Sequence, residues 1–173
     1  MADRHCYLFT LEVEPLKVGA TYDELPLHCT LMPRFWSSLG AVELGSKVQK
    51  LLDNRPPVVL RAYESTLLGP KQVAANLIEL TNELSSLNMS LYELLNELGV
   101  TYDNPAWVGK GHIFHVTERE HEKLEIGTTH LSKAVYLIEV KVPGYEHKRV
   151  VRQRFRLPRT QPLVETSRAT PAS

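Results

Sequence analysis

The sequence predicts an α+β protein in which nearly the same unit, a strand pair followed by a helix, occurs twice. Three observations carry this. Short runs show apolar residues at alternate positions, a leucine stripe spans 82–98 at helical spacing, and the triplet His-x-Thr stands once early and once late.

Taken in order, residues 6–13 (CYLFTLEV) alternate as a half-buried strand, with Tyr7, Phe9, Leu11 and Val13 on one side and Thr10 and Glu12 on the other. A loop rich in turn residues leads to LHCTLM (27–32), a second strand that we expect to end at Pro33. Val42, Val48, Leu51 and Leu52 make 38–53 an amphipathic helix, weakened by Gly45 and stopped by Asn54-Arg55-Pro56-Pro57. Residues 58–68 and 73–80 read as a hairpin turning at Gly69-Pro70.

In the helix 82–98, Leu84, Leu87, Leu91, Leu94, Leu95 and Leu98 share a stripe, Thr81 or Asn82 can cap the start, and Gly99 suits the C-terminal cap. The loop 99–111 precedes the strand IFHVT, and the charged 118–125 reads as a linker or short helix. GTTHLSKA looks like a polar lead-in to a strand at 134–142, which pairs with 148–157 around Pro143-Gly144. We expect one domain over 1–157 and a disordered tail at 158–173, which has little to bury.

Composition narrows the function. The chain has 173 residues, 43% hydrophobic and 23% charged, with 20 Lys plus Arg against 20 Asp plus Glu. No global basic charge advertises duplex nucleic acid, so an anion site must be a local cluster. Cys6 and Cys29 have neither disulfide-scaffold nor C-x-x-C spacing. The N-terminus lacks a signal-peptide core and no run nears ~18 apolar residues, so the chain is expected to be reduced, soluble and cytoplasmic, with no membrane partner.

Strand parity separates the two His-x-Thr triplets from the other histidines. Positions i and i+2 share a face. In LHCTLM the residues Leu27, Cys29 and Leu31 turn inward and present His28 with Thr30; in IFHVT, Phe114 and Val116 turn inward and present His115 with Thr117. His130-Leu131-Ser132 lacks that alternation, and His5, His112, His121 and His147 read as surface residues. The tripeptide TYD precedes both triplets, at 21–23 and 101–103, but so short a repeat arises by chance.

Paired, co-facing histidines suit phosphodiester chemistry. A base must take a proton from the attacking oxygen and an acid must give one to the leaving oxygen. Histidine alone has an unperturbed pKa that allows both states near neutrality. The threonine hydroxyls can hydrogen-bond the non-bridging oxygens, where charge accumulates, and the scheme needs neither metal nor cofactor.

PLHCTLM and IFHVT resemble the motifs of the 2H phosphoesterases, which include bacterial 2'-5' RNA ligase-like proteins and RNA 2',3'-cyclic phosphodiesterases; in element order the resemblance covers about residues 5–157. It implies two pseudo-symmetric lobes, each an antiparallel sheet with a flanking helix, around a central cleft. It implies His28 and His115 as acid and base and Thr30 and Thr117 as phosphate donors. The expected partner is an RNA end or a nucleotide with a cyclic phosphate, without metal, and the chain is expected to be a monomer. Glu118-Arg119-Glu120 follows the second motif where an apolar or small residue is more usual.

Arg152, Arg154 and Arg156 alternate on the last strand and could follow an RNA backbone. Tyr22, Phe35, Trp36 and Trp107 lie on or near loops beside the motifs and could stack on bases. Three rival readings stand beside this one. A zinc site from His112, His115 and His121 fails on parity, since i and i+3 on a strand face opposite ways. A non-catalytic nucleotide or RNA-end binder would use the same cleft, and a structural domain would leave the two motifs far apart.

Overall fold

The computed structural model describes residues 3–158, so all but the first residue of the expected tail lies outside it. The alternation of 6–13 becomes β1 (His5–Glu12), with Tyr7, Phe9 and Leu11 fully buried. A two-residue strand, β2 (Thr21–Tyr22), interrupts the following loop, and β3 (His28–Ser37) carries the first motif. Contrary to expectation β3 does not stop at Pro33. Its register with β1 slips from Thr10–Thr30 to Phe9–Met32 and again to Tyr7–Phe35, and a proline, which has no N–H to donate, is tolerated at such a bulge.

Helix α1 (Ala41–Leu52) buries Leu44, Val48 and Leu52. Its interior Gly45 has a packing reason, because a Cβ there would lie 1.9 Å from Oε1 of Gln153. The Gln153 amide crosses that gap and donates to the Ala41 carbonyl at 3.1 Å, tying the last strand to the helix. The hairpin β4 (Val58–Leu68) and β5 (Val73–Ile78) forms as expected. Helix α2 (Asn82–Glu97) starts at Thr81, whose hydroxyl accepts from the Leu84 N–H at 3.2 Å, and ends at Gly99 with φ of 71°. Its leucines 84, 87, 91 and 95 are buried, each contributing about 1.5–3 kcal/mol of apolar burial.

A short strand, β6 (Thr101–Tyr102), and two 3-10 turns lead to β7 (His115–Thr117), the second motif. The charged 118–125 is a linker folded on an Arg119–Glu122 bridge and not a helix. The stretch 127–133 is more than the polar lead-in its composition suggests: it holds a strand of its own, β8 (Thr129–Ser132), antiparallel to β4. Only Ser132 in it is buried, so an edge strand exists there without the apolar alternation that would announce it. β9 (Ala134–Val142) and β10 (Tyr145–Arg156) close the chain as a hairpin.

The ten strands of the described residues join one antiparallel sheet in the order β2-β10-β9-β1-β3-β7-β5-β4-β8, with β6 also on β3. The two expected lobes are the halves of this sheet, and they meet where β3 pairs with β7. Both helices pack on one face: α1 against β9 and β10, α2 against β3 and β4. The first half of the opposite face has its own smaller core, where Leu16 and Leu25 of the loop before β3 cover Cys6, Tyr136, Ile138 and Val151. No helix of the described residues is long and apolar enough to cross a membrane.

Candidate functional site

The two motifs come together because the strands that carry them are neighbours. Cys29 pairs with Val116 in antiparallel register, and both are fully buried toward the helices. Antiparallel geometry then sets His28 opposite Thr117 and Thr30 opposite His115, with all four side chains on the face away from the helices. Opposed pairs in such a ladder stand about 4.5–5.5 Å apart and diagonal ones about 7–8 Å, so the two histidines occupy opposite corners of a four-residue cluster. The central Cys29 thiol is pushed up to about 12 by burial and is chemically inert there.

The two histidines are held alike. Nδ1 of His28 donates to the Pro26 carbonyl at 2.8 Å, and Nδ1 of His115 donates to the Ile113 carbonyl at 2.9 Å. Each ring thus bonds the carbonyl two residues before it. A carbonyl only accepts, so the proton of each neutral ring sits on Nδ1 and Nε2 is left with its lone pair. Burial pulls the His28 pKa below its ordinary value, and the nearby charges of Arg119, His115 and Arg149 act the same way against the opposing Pro26 hydrogen bond. At neutral pH His28 is a neutral ring with a basic Nε2.

The bulge after the first motif is also held from outside the sheet. Leu31 is the extra residue between the Thr10–Thr30 and Phe9–Met32 pairs, and its carbonyl accepts from the buried Asn88 amide of α2 at 2.9 Å. The Thr30 carbonyl bonds Nε2 of His112 at 2.8 Å, while Nδ1 of His112 lies 3.3 Å from the Trp107 carbonyl. His112 is therefore no surface histidine: it rests edge-on against Phe114 and ties the loop before β7 to the first motif.

His28, Thr30 and Thr117 line a cleft of about 970 Å³, with His115 beside Thr30 at its margin. The other walls are basic: Arg34, Arg119, Lys141, Lys148 and Arg149. Only Glu24 and Glu146 among the lining residues are acidic. Arg119 donates to the Leu25 carbonyl at 3.1 Å and to Glu24 at 2.6 Å, which fixes a cation beside His28. Its position two residues after Thr117, in what reads as a solvated charge run, hid it in the sequence. Lys148 and Arg149 are steadied by the side chain and the carbonyl of Asp23, Arg34 by Asp103 at 3.1 Å. Each TYD tripeptide thus ends in an aspartate that holds a cation of this cleft, a link the bare repeat could not reveal.

The expected arginine stripe is not at this site. A register slip between Val151 and Gln153 breaks the alternation of β10, so Arg152 and Arg154 face opposite sides. Arg152 pairs with Glu139; Arg154 pairs with Glu12 at 3.2 Å and bonds Tyr136. Arg154 and Arg156 line a different hollow, with Pro56, Pro57 and Leu131. Of the aromatic candidates, Phe35 is fully buried in the main core and unable to stack on a ligand. Tyr22 packs on the smaller core, its hydroxyl accepting from the Lys17 N–H, and Trp107 is half exposed on a 3-10 turn beside His112. Among the described residues no three His, Cys, Asp or Glu side chains converge as a metal-ligand set.

No protein-family model matches the sequence, and no curated protein is significantly similar to it. Solved structures are similar in fold. A phosphoesterase crystal structure matches with a TM-score of 0.58 at 14% identity, over 91% of this chain and 100% of that one. Escherichia coli LigT complexed with 3'-AMP matches at 0.55 and 14%, over 91% and 100%. A protein of Thermus thermophilus matches at 0.52 and 14%, over 90% and 100%. The chain thus has the fold that its two motifs implied through their resemblance to 2H phosphoesterases.

Proposed function

We propose that the protein is a metal-independent phosphodiesterase that acts on a cyclic phosphate or a 2'-5' phosphodiester of RNA or a nucleotide, by two-histidine acid/base catalysis. One observation carries the reading: the antiparallel register of β3 and β7 sets each histidine against the other motif's threonine on one open face. Two imidazoles around one position can supply the base and the acid of an in-line displacement at phosphorus, and two hydroxyls can hold the non-bridging oxygens.

In this reaction Nε2 of one histidine takes the proton of the attacking water. The new P–O bond forms as the bond to the leaving ribose oxygen breaks, and Nε2–H of the other histidine protonates that oxygen. The depressed pKa of His28 favours it as the base in the hydrolytic direction, with His115 as the acid. Thr30 and Thr117 donate to the non-bridging oxygens, and Arg119 supplies positive charge as the negative charge builds. LigT has been solved complexed with 3'-AMP, with NADP+, with ATP and with phosphate, which supports a nucleotide as the ligand class here.

The test is turnover of a nucleoside 2',3'-cyclic monophosphate in the presence of a chelator, by the wild type and by His28→Ala and His115→Ala. The expected result is chelator-resistant hydrolysis that each substitution lowers by about 10²–10⁴-fold. Binding with no hydrolysis would instead identify a nucleotide-binding module, and activity surviving in both variants would refute the assignment of these strands.

A further inference from the structure

The basic cleft is longer than one phosphate needs. Along β3 the open face presents His28 and Thr30, then, beyond the bulge, Arg34 and Trp36. Thr30 and Arg34 are four residues apart, about 13 Å in an extended strand and somewhat less across a bulge. Arg34 is tied to Asp103 at 3.1 Å beyond the bulge, so the cleft carries positive charge at this end as well as beside the two motifs.

At this far end the side chains form a second, separately built cluster. Lys141 places its ammonium 5.0 Å from the centre of the Trp36 ring. The Trp36 indole donates to Oδ1 of Asp103 at 2.8 Å, and Oδ2 of the same carboxylate holds Nε of Arg34 at 3.1 Å. Arg4 closes the group from behind, bonded to the hydroxyl of Thr101 at 2.8 Å. Of these three cations only Arg34 is paired with a carboxylate, and Lys141 has no carboxylate partner among the described residues.

The backbone at Lys141 is the second observation. Its φ is 54°, one of two non-glycine residues with positive φ among those described. It sits at the end of β9, where the pairing with β10 slips between Tyr145 and Arg149. Glycine or asparagine takes this conformation more cheaply than lysine, which has no local hydrogen bond to offer the backbone in return. The bulge aims the lysine side chain over Trp36 into the cleft, where a strained residue has a use for its charge.

We propose that Arg34 and Lys141 form a second anion subsite, and that the ligand is a nucleotide bearing a further phosphate besides the diester at the two histidines. This rests on the phosphodiesterase reading above. For a 2',3'-cyclic nucleotide the further phosphate is the one on the 5' oxygen. Two phosphate groups also explain why a chain with no net charge concentrates five lysine and arginine residues on one cleft.

The experiment compares kcat/KM for adenosine 2',3'-cyclic phosphate with that for the same compound carrying a 5'-phosphate, in wild type and in Lys141→Gly. Glycine adopts a φ of 54° freely, so the ratio of the two efficiencies reports on the lost charge and not on a damaged turn. The expected wild-type ratio is about ten in favour of the 5'-phosphorylated compound, shrinking with added salt and falling close to one in the variant. A wild-type ratio near one, or a ratio that Lys141→Gly leaves intact, overturns the subsite while leaving the two-histidine chemistry in place. Hydrolysis of neither compound by the wild type would overturn the phosphodiesterase reading and the subsite with it.

Discussion

Asn88 offers the sharpest test of how the fold holds the first motif in place. The residue is 2% exposed, lies on the inward face of α2, and spends its amide on the carbonyl of Leu31, the extra residue in the bulge directly after Thr30. In Asn88→Leu the branched shape and the number of side-chain heavy atoms are kept, so no cavity opens and the lost polar contact dominates. The Leu31 carbonyl is left in a dry interior without its donor, which costs about 1–3 kcal/mol. Asn88→Ala adds a small cavity to the same loss and should fall at or beyond the upper end of that range.

Chemical denaturation of both variants, with unchanged denaturant slope, measures the loss. Because Leu31 adjoins Thr30, Asn88→Leu should also show a lower kcat for a cyclic nucleotide under conditions where the variant is fully folded. A stability within about 0.5 kcal/mol of wild type would refute the argument, since a buried carbonyl deprived of its donor cannot be that cheap.

Further consequences follow from the site. Thr30→Val and Thr117→Val each remove one donor to the phosphate oxygens and should lower kcat by about 10²-fold, measured on a cyclic nucleotide, with little change in fold by circular dichroism. The acid limb of the kcat/KM profile should lie below pH 6.5, the ordinary histidine value, because burial and neighbouring charge depress His28. Arg119→Gln removes one of those charges and should move that limb to higher pH. A histidine whose folded pKa is depressed contributes stability that is present above pH 6.5 and lost as the pH falls through the folded value, since the unfolded chain then binds the proton first. His28 and His112 are both depressed, so unfolding midpoints should decline as the pH drops below 6.5, and His28→Asn should flatten that decline.

What the sequence revealed and what it hid have a common physical origin. Alternation and the leucine stripe report which side of an element meets the core, so β1, α2, the two hairpins and the inward turn of Cys29 and Val116 were all legible. A bulge shifts parity without changing composition. Pro33 therefore looked like a strand end, and Arg152 and Arg154 looked like neighbours on one face when they lie on two. An edge strand needs little apolar signal, which is why β8 passed for a lead-in. The cations of the cleft were hidden for a further reason. Arg34, Arg119, Lys141 and Arg149 come from four separate segments and are gathered only by the closing of β9 and β10 against β1 and by the turn after β7. The histidines and threonines could be found because each pair lies within one strand; the charges that complete the cleft are a property of the sheet. The register slips within β3 and opposite the end of β9 are also places where the sheet re-aims side chains, Thr30 with its held carbonyl and Lys141 over Trp36. Deleting the two surplus residues of β10 between Tyr145 and Arg149 should therefore uncouple the far cations from the two-histidine centre, seen as loss of the 5'-phosphate preference with hydrolysis of the cyclic phosphate retained.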